Sequence, residues 1–296
     1  MVMRCQSLPD KIGRHTTWVV GKNVTMCEPD AARAKLASAN LVFPGEPMMF
    51  PILAAAQFCS ARGDIEHNLS GHSAFMQQAS ELGASYLLFP ELSLTGYEPD
   101  LARELALLAD DARLAPLAAL AVKLQLTTTV GVPLRGASDS VLIGALTFTA
   151  AGDVIAYAKQ HLHPGEDVVF SAGSEDGYLL VDQQRIGLCV CADFAHAEHA
   201  QRMAQGGSWG YAASVLISPG GYEYDAGLLS GHARRHSLPV LMANHGGPTG
   251  GWQSAGRSGL WDEAGHWVGG MEGEGGGLVV ATRQREGWRV RAVTVG

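Results

Sequence analysis

The chain has 296 residues, of which 47% are hydrophobic and 17% charged, proportions that suit a well-buried core and argue against wholesale disorder. A formal net charge of −8, with no basic cluster denser than Arg234-Arg235, argues against a nucleic-acid partner, which needs a basic footprint. No apolar run approaches the roughly 20 residues that span a bilayer, and no membrane partner is expected. Five cysteines, at 5, 27, 59, 189 and 191, form no CxxC pair and no zinc-type spacing, which points to a reducing, cytoplasmic setting. Residues 1–20 lack a signal-peptide apolar region, while Arg4, Lys11 and Arg14 leave a transit peptide as a weaker reading.

Taken in chain order, residues 1–47 show no sustained period and close at Pro44-Gly45, so they read as a poorly ordered N-terminal extension ahead of a domain over 48–296. Residues 52–58 form an apolar run of strand length. Asp64 then caps a helix whose apolar positions Ile65, Leu69, Met76, Ala79 and Leu82 recur mostly at helical spacing up to Gly83. A buried strand at 86–89 stops at Pro90, and a helical stretch over 101–124 is expected to break at Pro116. Strands at 127–133, 141–149 and 154–158 follow, the last two joined in a hairpin by Ala150-Ala151-Gly152-Asp153. Next come a strand at 185–190, a helix from about 195 to 205, a strand at 215–218, a helix at 226–236 and a strand at 240–244. The tail is strand and glycine turn, at 259–262, 266–268, 278–281 and 288–295. The glycine-rich run 269–277 has no strand–GxGxxG–helix context and reads as a surface loop. Helices alternating with strands early and hairpins later fit a layered α/β sandwich.

Three strand ends carry complementary chemistry, and a strand end is where rigid backbone can hold a reactive group against a loop that admits substrate. Glu91 follows the 86–89 strand and Pro90; partial burial there raises a carboxyl toward the range of a general base, although a glutamate bridging a loop is an equal alternative. Lys159 leaves the 154–158 strand, where a point charge can donate to an oxyanion, or simply snorkel to the surface. In Gly187-Leu188-Cys189-Val190-Cys191-Ala192-Asp193-Phe194, alternation turns both cysteines to one face and only Cys191 reaches the strand end. Asp193 as N-cap of a following helix would bring backbone N–H groups to the sulfur, favour the thiolate and leave the Ala192 N–H for an oxyanion. Cys189 reads as a buried structural cysteine.

Two rival chemistries are weaker. His161 and His163 with Cys191 and Asp193 offer no second ligand pair in register, so packing or hydrogen bonding is the expected role, with no metal and no cofactor. Gly206-Gly207-Ser208-Trp209-Gly210 has the letters of a nucleophile elbow but lies between a helix and a strand in the reverse order, so it is expected to be a turn.

Together, Pro90-Glu91 through Gly96-Tyr97, Lys159-Gln160-His161-Leu162 and Cys191-Ala192-Asp193 resemble, in order and spacing, the carbon–nitrogen hydrolase (nitrilase) superfamily over about residues 50–285. Gly256-Arg257-Ser258-Gly259 resembles its late strand–turn segment. The resemblance implies a four-layer α-β-β-α sandwich, homodimers or larger assemblies, and Glu91, Lys159 and Cys191 as the catalytic set. It also implies that Glu166 supports the lysine and that Asn244 ends a strand bordering the pocket. Tyr97, Phe194 and Ala192 join these as candidate substrate or oxyanion contacts, although Tyr97, Phe170, Phe194, Trp209 and Tyr222 can equally fill the core. Ala192 stands where the family commonly has a bulkier residue, and residues 1–47 have no counterpart in it. Cys-Ala-Asp in place of Cys-Trp-Glu favours an amidase over a nitrilase. The expected reaction is hydrolysis of a small non-peptide amide through a thioester, releasing ammonia and a carboxylic acid. A carbamoyl-amide hydrolase, a nitrilase and a catalytically silent binding protein are the alternatives.

Overall fold

A computed structural model describes residues 50–295; the segment 1–47 lies outside them. In chain order the first strands are β1 (Leu53–Gln57), β2 (Tyr86–Leu88), β3 (Thr127–Arg135), β4 (Val141–Phe148), β5 (Val154–Ala158) and β6 (Tyr178–Val181). They are followed by β7 (Gln184–Val190), β8 (Gly210–Val215), β9 (Val240–Asn244), β10 (Gly259–Trp261), β11 (Trp267–Gly270), β12 (Gly277–Gln284) and β13 (Gly287–Thr294). The α-helices are α1 (Ile65–Glu81), α2 (Ala102–Leu105), α3 (Ala115–Leu124), α4 (Ala197–Gln205) and α5 (Tyr222–His236). No described helix is long and apolar enough to cross a membrane.

The strands make two sheets, one ordered β13-β12-β1-β2-β3-β4-β5 and the other β11-β10-β9-β8-β7-β6. Parallel pairing is confined to the centres, β1-β2-β3 and β7-β8-β9, with antiparallel strands outside. The central strands β1, β2, β8 and β9 are buried along their whole length, which explains their apolar sequences. Between the sheets, Leu53, Tyr86, Leu88 and Ile143 of the first meet Ile186, Leu188, Leu241 and Leu260 of the second. Phe75, Met76 and Leu117 of α1 and α3 cover the outer face of the first sheet, against Leu87 and Val130. Ala200, Met203 and Leu229 of α4 and α5 cover the second, against Tyr211 and Met242. The result is the expected α-β-β-α sandwich.

Local expectations fare unevenly. Asp64 caps α1, accepting from the His67 N–H at 3.0 Å, and the 150–153 turn joins β4 to β5. Of the turn read at 206–210, residues 206–209 join α4 to β8, and Gly210 already opens β8. The break in 101–124 falls at 106–111 rather than at Pro116, because proline is tolerated in the first turn of α3, where its missing N–H has no partner to lose. Strand β6 escaped the sequence reading. Its hairpin to β7 turns on Asp182 and Gln183, both in the left-handed region (φ +47° and +65°), without the glycine that usually signals such a turn. The run 269–277 is only partly a loop: Gly269 and Gly270 extend β11, and Gln57 Nε2 pins the remainder by donating to the Gly273 and Gly275 carbonyls.

Candidate active site

The chain leaves β2 through Phe89 and Pro90 and turns sharply, with Leu92 at φ +52°. Gly131 of β3 lies directly beneath. A Cβ there would stand 2.2 Å from the Leu92 nitrogen and 2.4 Å from the Pro90 oxygen, so only glycine permits this approach. Three buried polar side chains hold the turn. Asn68 Nδ2 donates to the Leu94 carbonyl at 3.1 Å, His72 Nε2 lies 2.9 Å from Ser93 Oγ, and His245 Nε2 lies 2.7 Å from the Glu91 carbonyl. Burial lowers the pKa of His72 to about 3 and of His245 to about 4, so both rings are neutral. His72 Nδ1–H therefore donates to the Asn68 carbonyl and its Nε2 accepts from Ser93, while His245 Nε2–H donates to Glu91. These contacts account for two polar residues, Asn68 and His72, on the buried face of α1.

Glu91 and Lys159 are fully buried, and Lys159 Nζ donates to Glu91 Oε1 at 2.7 Å and to Glu166 Oε1 at 2.8 Å. Glu166 also accepts from the Tyr97 hydroxyl and from the His163 backbone N–H, each at 2.7 Å. Burial raises the pKa of Glu91 to about 7, with the Lys159 charge pulling it down and the Glu166 charge pushing it up. Burial works against the Lys159 ammonium, but the charges of Glu91 and Glu166 help to outweigh it and hold the pKa well above the ordinary value. Glu91 Oε2 meets no partner within hydrogen-bond distance among the described residues.

Cys191 directly follows β7 at φ +43°, a conformation rare outside glycine, and begins a short 3-10 turn, Cys191–Ala195. Asp193 is not a helix N-cap, since α4 begins only at Ala197. Its Oδ2 accepts from the Val190 N–H at 3.1 Å and the Tyr157 hydroxyl at 2.6 Å, and its Oδ1 accepts from the N–H groups of Gln160 and His161 at 3.0 and 2.9 Å. One carboxylate thus ties the strand end carrying Cys191 to the one carrying Lys159. The thiolate expectation is also corrected: burial, followed by the Glu91 charge, pushes the Cys191 thiol upward. The resting sulfur is a thiol, and it donates to the Leu216 carbonyl at 3.7 Å. Cys189 is buried against Tyr211 and Met203, as expected for a structural cysteine.

A cavity of about 270 Å³ opens over these groups, lined by Glu91, Tyr97, Glu166, Cys191, Ala192 and Phe194 together with Leu216, Ile217 and Trp252. Asn244 is not in its wall. Its Oδ1 accepts from the Ile217 and His245 N–H groups and its Nδ2 donates to the Ile217 and Gly256 carbonyls, so it fixes the Ile217 wall from behind. Phe170 and Tyr222 fill the core, and Trp209 stacks on Phe50. His161 lies 3.1 Å from Asp193 Oδ1 and stacks on His196, whereas His163 lines the cavity. Among the described residues, no group of three or more His, Cys, Asp or Glu side chains is placed to hold a metal ion. The sequence reading missed Ser218, Asp225 and Trp252, which line the cavity from loops and a helix start that carry no local motif. The arrangement brings together in one cavity a carboxyl raised to about 7, a thiol, and an ammonium fixed between two carboxylates.

A solved structure of an amidase from Nesterenkonia sp. AN1, in which a cysteine-to-alanine mutant binds butyramide, is 26% identical; it aligns over 79% of this chain and 90% of its own with a TM-score of 0.72. A mutant of the same amidase carries the acetamide moiety of fluoroacetamide on its active-site cysteine, with a TM-score of 0.73 over 79% of this chain and 91% of its own. A curated relative, the glutamine-dependent NAD(+) synthetase of Rhodobacter capsulatus, is 30% identical over 199 residues, 65% of this chain and 34% of its own, so the chain spans about a third of that protein. The sequence model of the carbon–nitrogen hydrolase family matches residues 52–292. Since that match runs through nearly all of the described residues, the chain belongs to the carbon–nitrogen hydrolase family.

Proposed function

We propose that this carbon–nitrogen hydrolase cleaves a small non-peptide amide through a thioester on Cys191, releasing ammonia and a carboxylic acid. The observation that carries the reading is the free Oε2 of Glu91, on a carboxyl raised to about 7, beside a thiol that burial keeps protonated. Glu91 takes the thiol proton as sulfur attacks the carbonyl carbon, so nucleophile and base are activated together. The carbonyl oxygen becomes an oxyanion held by the Lys159 ammonium and the Ala192 N–H, which lies in the first turn of the 3-10 segment and has no acceptor within it. Glu91 returns its proton to the departing nitrogen, and ammonia leaves. Water then gives a proton to Glu91 and attacks the thioester; collapse releases the acid and re-forms the thiol. Glu166 positions Lys159 throughout.

The likeness to an amidase that binds butyramide supports an amide over a nitrile, and the cavity suits a short acyl chain. The test is ammonia release from small primary amides, ω-amides, carbamoyl compounds and glutamine, beside the Cys191→Ala variant. Release that vanishes in the variant supports the reading. Carbon dioxide appearing with ammonia would move the substrate to the carbamoyl class, and equal activity in the variant would remove Cys191 from the mechanism.

A further inference from the structure

Asp225 stands in the first turn of α5, half-buried, in the wall of the cavity that holds Glu91 and Cys191. An acid in a first helical turn often serves the helix dipole alone. Glu223 fits that description: it points outward, is 83% exposed and pairs with Arg257 at 2.8 Å. Asp225 does not, because it lines the cavity and its carboxylate has no hydrogen-bonded or ion-paired partner among the described residues. Burial raises its carboxyl above the usual value, with His163, also in the cavity wall, opposing that rise. The other carboxylates of the cavity are engaged, Glu166 with three donors and Glu91 with Lys159. Lys159 is spent on those two, and no arginine lines the space. A half-buried carboxylate with no hydrogen-bonded or ion-paired partner is a cost that a ligand can remove. Trp252 lines the same cavity with 52% of its surface exposed, and an indole face favours a cation.

We infer that Asp225 binds a cationic substituent on the acyl part of the substrate, so that amino-substituted amides are preferred and carboxylate-bearing amides are rejected. The inference rests on the amide-hydrolase reading above. A charge-assisted contact of this kind changes kcat/KM by about 10- to 100-fold.

The test compares 4-aminobutanamide, its neutral isostere pentanamide and the anionic amide succinamate, by ammonia release at one pH near 8, in the unaltered chain and in Asp225→Asn. The unaltered chain should favour 4-aminobutanamide over pentanamide by at least about tenfold, mainly through KM, and turn over succinamate least. Asp225→Asn should bring the ratio of the first two to near one and narrow the gap to succinamate. A ratio near one in the unaltered chain, or a preference that survives in Asp225→Asn, overturns the assignment. If no amide releases ammonia, the amide-hydrolase reading fails, and calorimetry on Cys191→Ala and Cys191→Ala/Asp225→Asn decides the cation site separately. Tighter binding of 4-aminobutanamide than of pentanamide, lost in the double variant, upholds it; equal binding overturns it.

Discussion

Glu91 and Glu166 share one ammonium, accepting from Lys159 Nζ at 2.7 and 2.8 Å, and the charge of Glu166 raises the pKa of Glu91. If Glu91 is the general base, kcat/KM rises with pH through about 7 as the carboxyl ionises. Glu166→Gln removes a negative neighbour, makes that ionisation easier, and should move the acid limb to lower pH. Loosening of Lys159 should reduce kcat by roughly tenfold or more in the same variant. A pH–rate profile checks both effects, and an unmoved limb would show that Glu166 does not set the base.

Cys191 alkylation is the second test. A thiol raised by burial should be slow to form thiolate unaided, yet one that hands its proton to Glu91 should label with iodoacetamide at a rate that rises through about 7. Glu91→Gln should slow labelling about a hundredfold near neutral pH. Labelling of Cys191 that is indifferent to Glu91→Gln would mean that the two groups do not exchange a proton.

Removing the ammonium should hurt both rate and stability. Lys159→Met leaves Glu91 and Glu166 buried without a counter-charge, which costs about 3–5 kcal/mol when both are ionised, and lowers kcat by about 10²–10³. The folded-state pKa of Glu91, already raised to about 7 by burial, then rises further, so the variant regains stability as pH falls and loses it as pH climbs. Urea denaturation at pH 5 and pH 8 should show the deficit growing toward pH 8; a pH-independent deficit would contradict the charge argument.

Gly131 offers a test remote from the reacting groups. In Gly131→Ala the added methyl meets backbone atoms at 2.2 and 2.4 Å, which cannot swing aside, so the Glu91 turn must move. Stability should fall by about 1–3 kcal/mol or more, with a loss of kcat larger than any change in KM. Gly210→Ala, whose new atom meets nothing nearer than 3.7 Å, is the matched control and should be tolerated. Comparable activity in the two variants would separate the turn from catalysis.

The positions of Glu91, Lys159 and Cys191 were legible because each comes at or just past the end of an apolar strand, a pattern local to the chain. What surrounds them was not. Asn68, His72 and His245 hold the Glu91 turn through partners that are 21 to 154 residues away for His72, Asn68 and His245, so no local pattern marks them. Asp193 was misread as a cap because a carboxylate three residues past a strand end has two possible duties, and its donors at Gln160 and His161 belong to a distant segment. Asn244 was placed near the pocket, but the direction of its side chain depends on Ile217, which only the fold brings beside it. Asp225 lay unnoticed at the start of a helix because the cavity it faces is assembled from five separate stretches of chain.

Glu91 and Lys159 leave the ends of β2 and β5 in one sheet, whereas Cys191 leaves the end of β7 in the other. The gap between Glu91 and Cys191 is therefore gauged by the hydrocarbon between the sheets, where Tyr86 and Leu88 meet Ile186 and Leu188. Interiors are packed too tightly to absorb a lost methylene silently. The thickness of that oily spacer is thus a kinetic variable: a truncation at Leu188, far from any substrate, resets the reach of the sulfur.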